Sequence, residues 1–190
     1  MDAGRKSIWT LPELEASLPV MLPAAPDWVL SASHRPEAAA RGVTLAGWSS
    51  GVPQQPGMWF QVELPAPTMI TEVQFDAAAA GRLGGGGRGR GAAAAGRGAA
   101  AGAARGAAAA APAPTPGFPR EFQIEVSLDG KSFGAPVAKG PGSSLTLASF
   151  APVRAKFIRI TQTAAAAPDV PAWSIQNLRI YEAPAAARAR

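Results

Sequence analysis

Pro56-Gly57-Met58-Trp59-Phe60-Gln61-Val62-Glu63-Leu64 and Phe122-Gln123-Ile124-Glu125-Val126-Ser127-Leu128-Asp129-Gly130 decide the fold. The first run mixes aromatic and β-branched residues with polar ones. In the second, Phe122, Ile124, Val126 and Leu128 fall on one face, and Glu121, Gln123, Glu125 and Ser127 on the other. Alternation with a period of two predicts strands with one face on a core. Asp129-Gly130 at the end of the second run is a hairpin signal, because glycine accepts the positive φ that a tight turn needs.

Working outward, further strands are predicted at Asp27–Ser33, Ile70–Phe75 with Val73 and Phe75 inward, Ser144–Phe150, Lys156–Gln162 and Ser174–Glu182. Pro65-Ala66-Pro67 is expected to turn the chain. In the last two strands Ile158 and Ile160, then Leu178 and Ile180, share a face. No segment has the period of a long amphipathic helix. Many short strands separated by Pro/Gly turns predict an all-β antiparallel β-sandwich.

Two segments fall outside this pattern. Residues 1–26 carry four prolines and no sustained period, which predicts a linker or the tail of a preceding domain. Residues 77–116 are nearly all Ala, Gly, Arg and Pro, with Leu83 the one larger hydrophobic. Such a sequence buries too little apolar surface to offset its ordering entropy, so a flexible low-complexity insertion is expected. The domain is thus placed at residues 27–183, with a tail at 184–190.

The chain has 190 residues, enough for one domain, and no cysteine. Disulfides, thiolate nucleophiles and cysteine metal sites are excluded. The five arginines of residues 77–116 account for the whole net charge of +5, and acids and bases balance elsewhere. The basic character therefore belongs to the insertion and not to the folded surface. No run approaches the ~18–20 apolar residues of a membrane span, and no signal peptide is recognised.

His34 is the one histidine, so no His-based metal site forms and a catalytic role is disfavoured. No pair of carboxylates suits acid–base work; Glu121 and Glu125 read as a solvated strand face. Aromatic faces can stack on sugars. Even so, Trp48 and Trp59 are expected in the core, Trp28 half-buried, Trp9 outside the domain, and Trp173 as packing before stacking. The Arg-Gly tract resembles RNA-binding tracts but lacks interleaved aromatics.

The motifs Trp48-Ser49-Ser50-Gly51, Pro53 to Leu64, Ile70 to Asp76, Phe118-Pro119-Arg120, Val126 to Phe133, Phe157-Ile158-Arg159-Ile160 and Trp173 to Leu178 occur in the order and spacing of a known family. The chain resembles discoidin, or coagulation-factor type C, domains over about residues 27–183. Family-32 carbohydrate-binding modules share their galactose-binding-like jelly roll. The resemblance is greatest to modules appended to large bacterial secreted or periplasmic proteins, and so implies an extracellular or periplasmic setting. It implies a non-catalytic module that recognises a glycan or cell-surface polysaccharide through loops at one end of the sandwich. Matching loop positions make His34, Arg35, Gln54, Gln55, Arg120 and Trp173 the candidate ligand contacts. Arg and Gln would hydrogen-bond hydroxyls, and one aromatic would stack. The alternatives are a module docking other domains of the parent protein, or weak nucleic-acid binding through the Arg-Gly tract.

The family's structural calcium is not carried over, and no cofactor is expected. The loop before Trp48 reads Ala40-Arg41-Gly42-Val43-Thr44-Leu45-Ala46-Gly47 with no Asp, and Asn177 stands where an acid is usual. Calcium affinity rests largely on charged carboxylates.

Overall fold

The computed structural model describes residues 16–77 and 117–184. The expected insertion therefore lies outside the described residues, apart from Ala77, as do residues 1–15 and 185–190.

Eight strands form: β1 (Val20–Leu22), β2 (Val29–Ala32), β3 (Trp48–Ser49), β4 (Trp59–Asp76), β5 (Glu121–Ser127), β6 (Ala138–Pro141), β7 (Leu145–Gln162) and β8 (Ser174–Glu182). A 3₁₀ segment spans Pro36–Val43. Every pairing is antiparallel. The all-β sandwich predicted from the alternation is the fold observed.

The organising pair is β4 with β7. Their first ladder runs from Trp59↔Thr161 to Glu63↔Phe157, flanked by β2 and by β5 with β6. Their second runs from Glu72↔Ser149 to Asp76↔Leu145, flanked by β8 and then β1. The register breaks between Glu63 and Thr68, where Pro65-Ala66-Pro67 lie exposed. Proline has no N–H to give the ladder, so the strand bends there. One long strand thus serves both sheets, and the two predicted strand pairs merge into β4 and β7.

The alternation is legible in the burial. Phe60, Val62 and Leu64 are buried while Trp59, Gln61 and Glu63 stay partly exposed. Trp59 therefore sits on the outer face and not in the core as expected. Ile70 and Val73 both point inward although they are three residues apart. A register shift between Ile70 and Glu72 resets the parity, and the Thr71 hydroxyl donates to the Phe150 carbonyl at 2.8 Å across it. β8 does the same at Asn177, whose φ of 50° lets Ile175 and Leu178 both face inward.

The core is built on Trp48, with the Phe60 ring centroid at 5.2 Å and the Trp173 centroid at 5.3 Å. Phe75 meets Phe122 edge-on at 5.9 Å. The 3₁₀ segment closes over Phe60, and a Cβ on Gly42 would come within 2.6 Å of that ring. Trp28 is buried, further than the half-burial expected.

Three expectations need correction. Val20–Leu22 pair with Ile180, Tyr181 and Glu182, so the sheet begins at residue 20 and not at 27. Leu128 is exposed, because β5 ends at Ser127 and the chain leaves the core face there. Asp129-Gly130 opens a ten-residue connection to β6 instead of a two-residue hairpin. The Asp129 carboxylate accepts the Lys131 and Ser132 amides, and Gly130, at φ 72°, lies under the Phe157 ring.

Candidate functional site

One end of the sandwich gathers the loops that carry the candidate residues. Ser33, just after β2, is tied to Trp59 at the start of β4: its amide and hydroxyl both reach the Trp59 carbonyl, at 2.9 and 3.3 Å. The Gly57 amide donates to the Gln162 carbonyl at the end of β7, and Thr163 N–H to the Glu121 carbonyl at the start of β5. Ser50 N–H donates to Trp173 and Ser174 N–H to Gly117, which ties in the start of β8 and the chain beyond residue 116. The six candidates therefore share one end, but not one role.

Gln54 is 2% exposed and acts as a bracket. Its Nε2 donates to the carbonyls of Phe118 and Pro171, at 3.0 and 2.8 Å, and its Oε1 accepts Gln162 Nε2 at 2.8 Å. Both of its N–H donors and its carbonyl oxygen are engaged in joining three loops, so it is framework and not a free ligand contact. Trp173 is 0% exposed with its edge against Trp48. Neither face of the indole is available, which corrects the expectation that it could stack on a sugar. Trp59 and Phe118 are partly exposed aromatics at this end, and the Arg159 guanidinium lies 5.0 Å from the Trp59 centroid.

The other four reach solvent. His34 is half-buried, with Nδ1 2.9 Å from the Ser33 hydroxyl, and its carbonyl accepts Trp48 Nε1. Arg35 is exposed at φ 48°, heading the 3₁₀ segment, and its side chain lies over Gly51: a Cβ there would be 2.8 Å from Arg35 Cδ. Gln55 is exposed beside its buried neighbour. Arg120 lies on the Phe118 ring at 4.5 Å, and its Nε and one terminal nitrogen are buried without a partner among the described residues. Next to it, a cavity of about 510 Å³ opens beside β5 and β6. Sequence reasoning missed this cavity, because its residues lie on a strand face that reads as plain solvated edge.

The donor set does not fit the family's calcium. Asn177 Nδ2 donates to Asp76 Oδ2 at 2.9 Å, and Arg179 pairs with Asp76 Oδ1 at 3.1 Å. The Thr44 carbonyl is taken by the Asn177 amide. One carboxylate already neutralised by a guanidinium is not the oxygen-rich, anionic cage that calcium needs. No group of three or more His, Cys, Asp or Glu converges among the described residues.

Comparison with known proteins yields no matching family model and no matching curated protein. Solved structures do match in fold. The family 32 carbohydrate-binding module of NanJ from Clostridium perfringens, in complex with galactose, has 16% identity and a TM-score of 0.52. The match covers 87% of this chain and 100% of that one. A second C. perfringens module, CpGH89CBM32-5, was solved with GalNAc-β-1,3-galactose; it has 14% identity over 81% of this chain and 94% of its own, at TM-score 0.53. An F5/8 type C domain from Bacteroides fragilis has 15% identity over 87% of this chain and 97% of its own, at TM-score 0.51. The chain has the fold of discoidin and family 32 carbohydrate-binding domains.

Proposed function

We propose that the chain is a non-catalytic glycan-binding module, working outside the cytoplasm as part of a larger protein. Its ligand is held at the loop end by His34, Arg35, Gln55 and Arg120, on a framework set by Gln54 and Trp173. The observation that carries this reading is the buried Gln54 bracket. It locks three loops together at one end of a fold whose solved relatives include modules with bound galactose and GalNAc-containing sugars. Loops fixed by a rigid scaffold are where binding residues concentrate, and fixing them beforehand lowers the entropy lost on binding.

Protein docking has less support. The exposed Leu147 is paired in register with Gln74, which is paired in turn with Arg179, so polar side chains separate it from the exposed Val20 and Met21. Among the described residues, the exposed Leu145 and Leu147 make a two-residue apolar patch on β7 that does not extend to Val20 and Met21.

The test is a glycan-array screen of the chain followed by titration of Arg120→Ala. A hydrogen bond to a charged group is worth about 1.5–3 kcal/mol, so binding should weaken about tenfold or more. The melting curve should barely move. A mutant that melts early while its folded fraction binds normally would make Arg120 a structural residue.

A further inference from the structure

We propose that the cavity beside β5 and β6 is a saccharide subsite selective for an uncharged hexose; the inference rests on the glycan-binding reading. The cavity, of about 510 Å³, lies at the free edge of the sheet, where β6 pairs only with β5 among the described strands. Glu121 stands opposite Pro141, and Gln123 opposite Lys139. Cross-strand partners share a face, and so do residues two apart on one strand. All four side chains therefore stand on the outer face, and Thr163 closes one end of the cavity.

These groups have no work within the fold. The side chains of Glu121, Gln123 and Lys139 make no hydrogen bond or ion pair with any described residue. Glu121 and Lys139 carry opposite charges yet do not meet. They are diagonal neighbours, a relation that sets residues about 7–8 Å apart, a gap that one pyranose ring with its hydroxyls fills. The exposed Pro141 ring offers an apolar platform for the C–H face of a sugar. Phe122, buried beneath, supplies a firm floor.

The charges choose the ligand class. One carboxylate and one ammonium leave the cavity neutral. A hydroxyl can donate to Glu121 and accept from Lys139 at once, so a neutral polyol satisfies both. A uronate drawn to Lys139 would bring its carboxylate close to Glu121, and a hexosamine drawn to Glu121 would bring its ammonium close to Lys139. Either charge would leave one member of the pair repelled. Gln123 adds an amide that donates and accepts. None of these residues belongs to the loop set around His34, Arg35 and Gln55, so this is a separate subsite at the same end.

The experiment is an amide NMR titration of the full chain with methyl β-galactoside, N-acetylgalactosamine, galacturonate and galactosamine. The neutral sugars should shift the amides of Gln123, Lys139, Gly140 and Thr163. Glu121→Gln and Lys139→Gln should each weaken neutral-sugar binding about tenfold, as expected for losing one charge-assisted hydrogen bond. Each should also raise the affinity for the matching charged sugar relative to the neutral one: galacturonate for Glu121→Gln, galactosamine for Lys139→Gln. Both positions are exposed or at the strand edge, and the same spectra report whether the fold persists. Shifts confined to the loops at His34, Arg35 and Gln55 would overturn the subsite while leaving the glycan reading intact. A native preference for a charged sugar would overturn the neutral class. No shift with any of the four sugars would overturn the subsite, while the glycan array decides the glycan reading separately.

Discussion

Gln54→Ala separates framework from ligand contact most directly. The substitution leaves the carbonyls of Phe118 and Pro171 without their donor and removes the acceptor of Gln162 Nε2. A buried polar group left unpaired costs about 1–3 kcal/mol. Gln162 keeps its second bond, to the Ala164 carbonyl at 2.9 Å, so the main loss falls on the two carbonyls. Allowing for some entry of water, the expected destabilisation is about 2–5 kcal/mol. That is a large share of the roughly 5–15 kcal/mol that holds a domain folded, and corresponds to a fall in Tm of roughly 5–15 °C. Gln54→Glu should be worse, since it turns a carboxylate oxygen toward two carbonyl oxygens. The control is Gln55→Ala, one residue on and exposed, which should stay within about 0.5 kcal/mol of the parent. Urea unfolding, with one m value across the set, measures all three. If Gln54→Ala and Gln55→Ala prove equally harmless while Gln54→Ala alone abolishes sugar binding, then Gln54 is a ligand contact and the bracket argument fails.

Three further outcomes are expected. Trp59→Ala should cost only about 1–2 kcal/mol, because it forfeits half-buried area and a cation–π contact worth about 0.5–1 kcal/mol, whereas Phe60→Ala should cost about 3–5 kcal/mol; chemical denaturation of the pair checks the contrast. Backbone amides of Ser132 and Lys131, with the Ser127 hydroxyl, hold the Asp129 carboxyl far below its ordinary 3.8, so its ionised form stabilises the fold above that pH and the contribution is lost as pH falls further. In urea midpoints measured from pH 6 to pH 2, the parent should lose stability more steeply than Asp129→Asn, and parallel curves would remove Asp129 as the cause. Millimolar calcium should leave Tm unchanged, since a ligand that binds the native state must raise it; a rise reversed by chelator would mean that other oxygens complete a cage around Asp76.

The strands were legible because alternation needs no partner to be read. Phe60, Val62 and Leu64, then Ile158 and Ile160, announce an inner face in one dimension. What a period of two does not carry is its own interruption. The parity resets at Thr71 and Asn177 depend on which strand lies alongside, and nothing local distinguishes a bulge from a strand end. The merging of β4 has the same origin: Pro65-Ala66-Pro67 reads as a turn, yet the ladder resumes beyond it because β7 bends with it. Val20–Leu22 were illegible for another reason. Three residues between prolines show no period, and they become a strand only because the edge of β8 is there to pair with.

At the site the difficulty is sharper, because a polar loop residue looks the same whether it holds the protein or the ligand. Gln54 and Gln55 are identical in type and adjacent in chain, and the fold sends one inward and leaves the other in water. The inward one was forced by backbone need. The chain at Phe118 and Pro171 leaves part-buried carbonyls outside any ladder, and a carbonyl withdrawn from water needs a donor. Gln54 is that donor, so its identity answers to the loops and not to a sugar. The reverse holds at the β5–β6 edge. There β5 is paired on both sides and β6 along its inner side, so the fold makes no demand on the side chains of Glu121, Gln123 and Lys139. The useful distinction is therefore not which residues are polar, but which polar residues the fold does not consume, and only the three-dimensional account of hydrogen bonds reveals it.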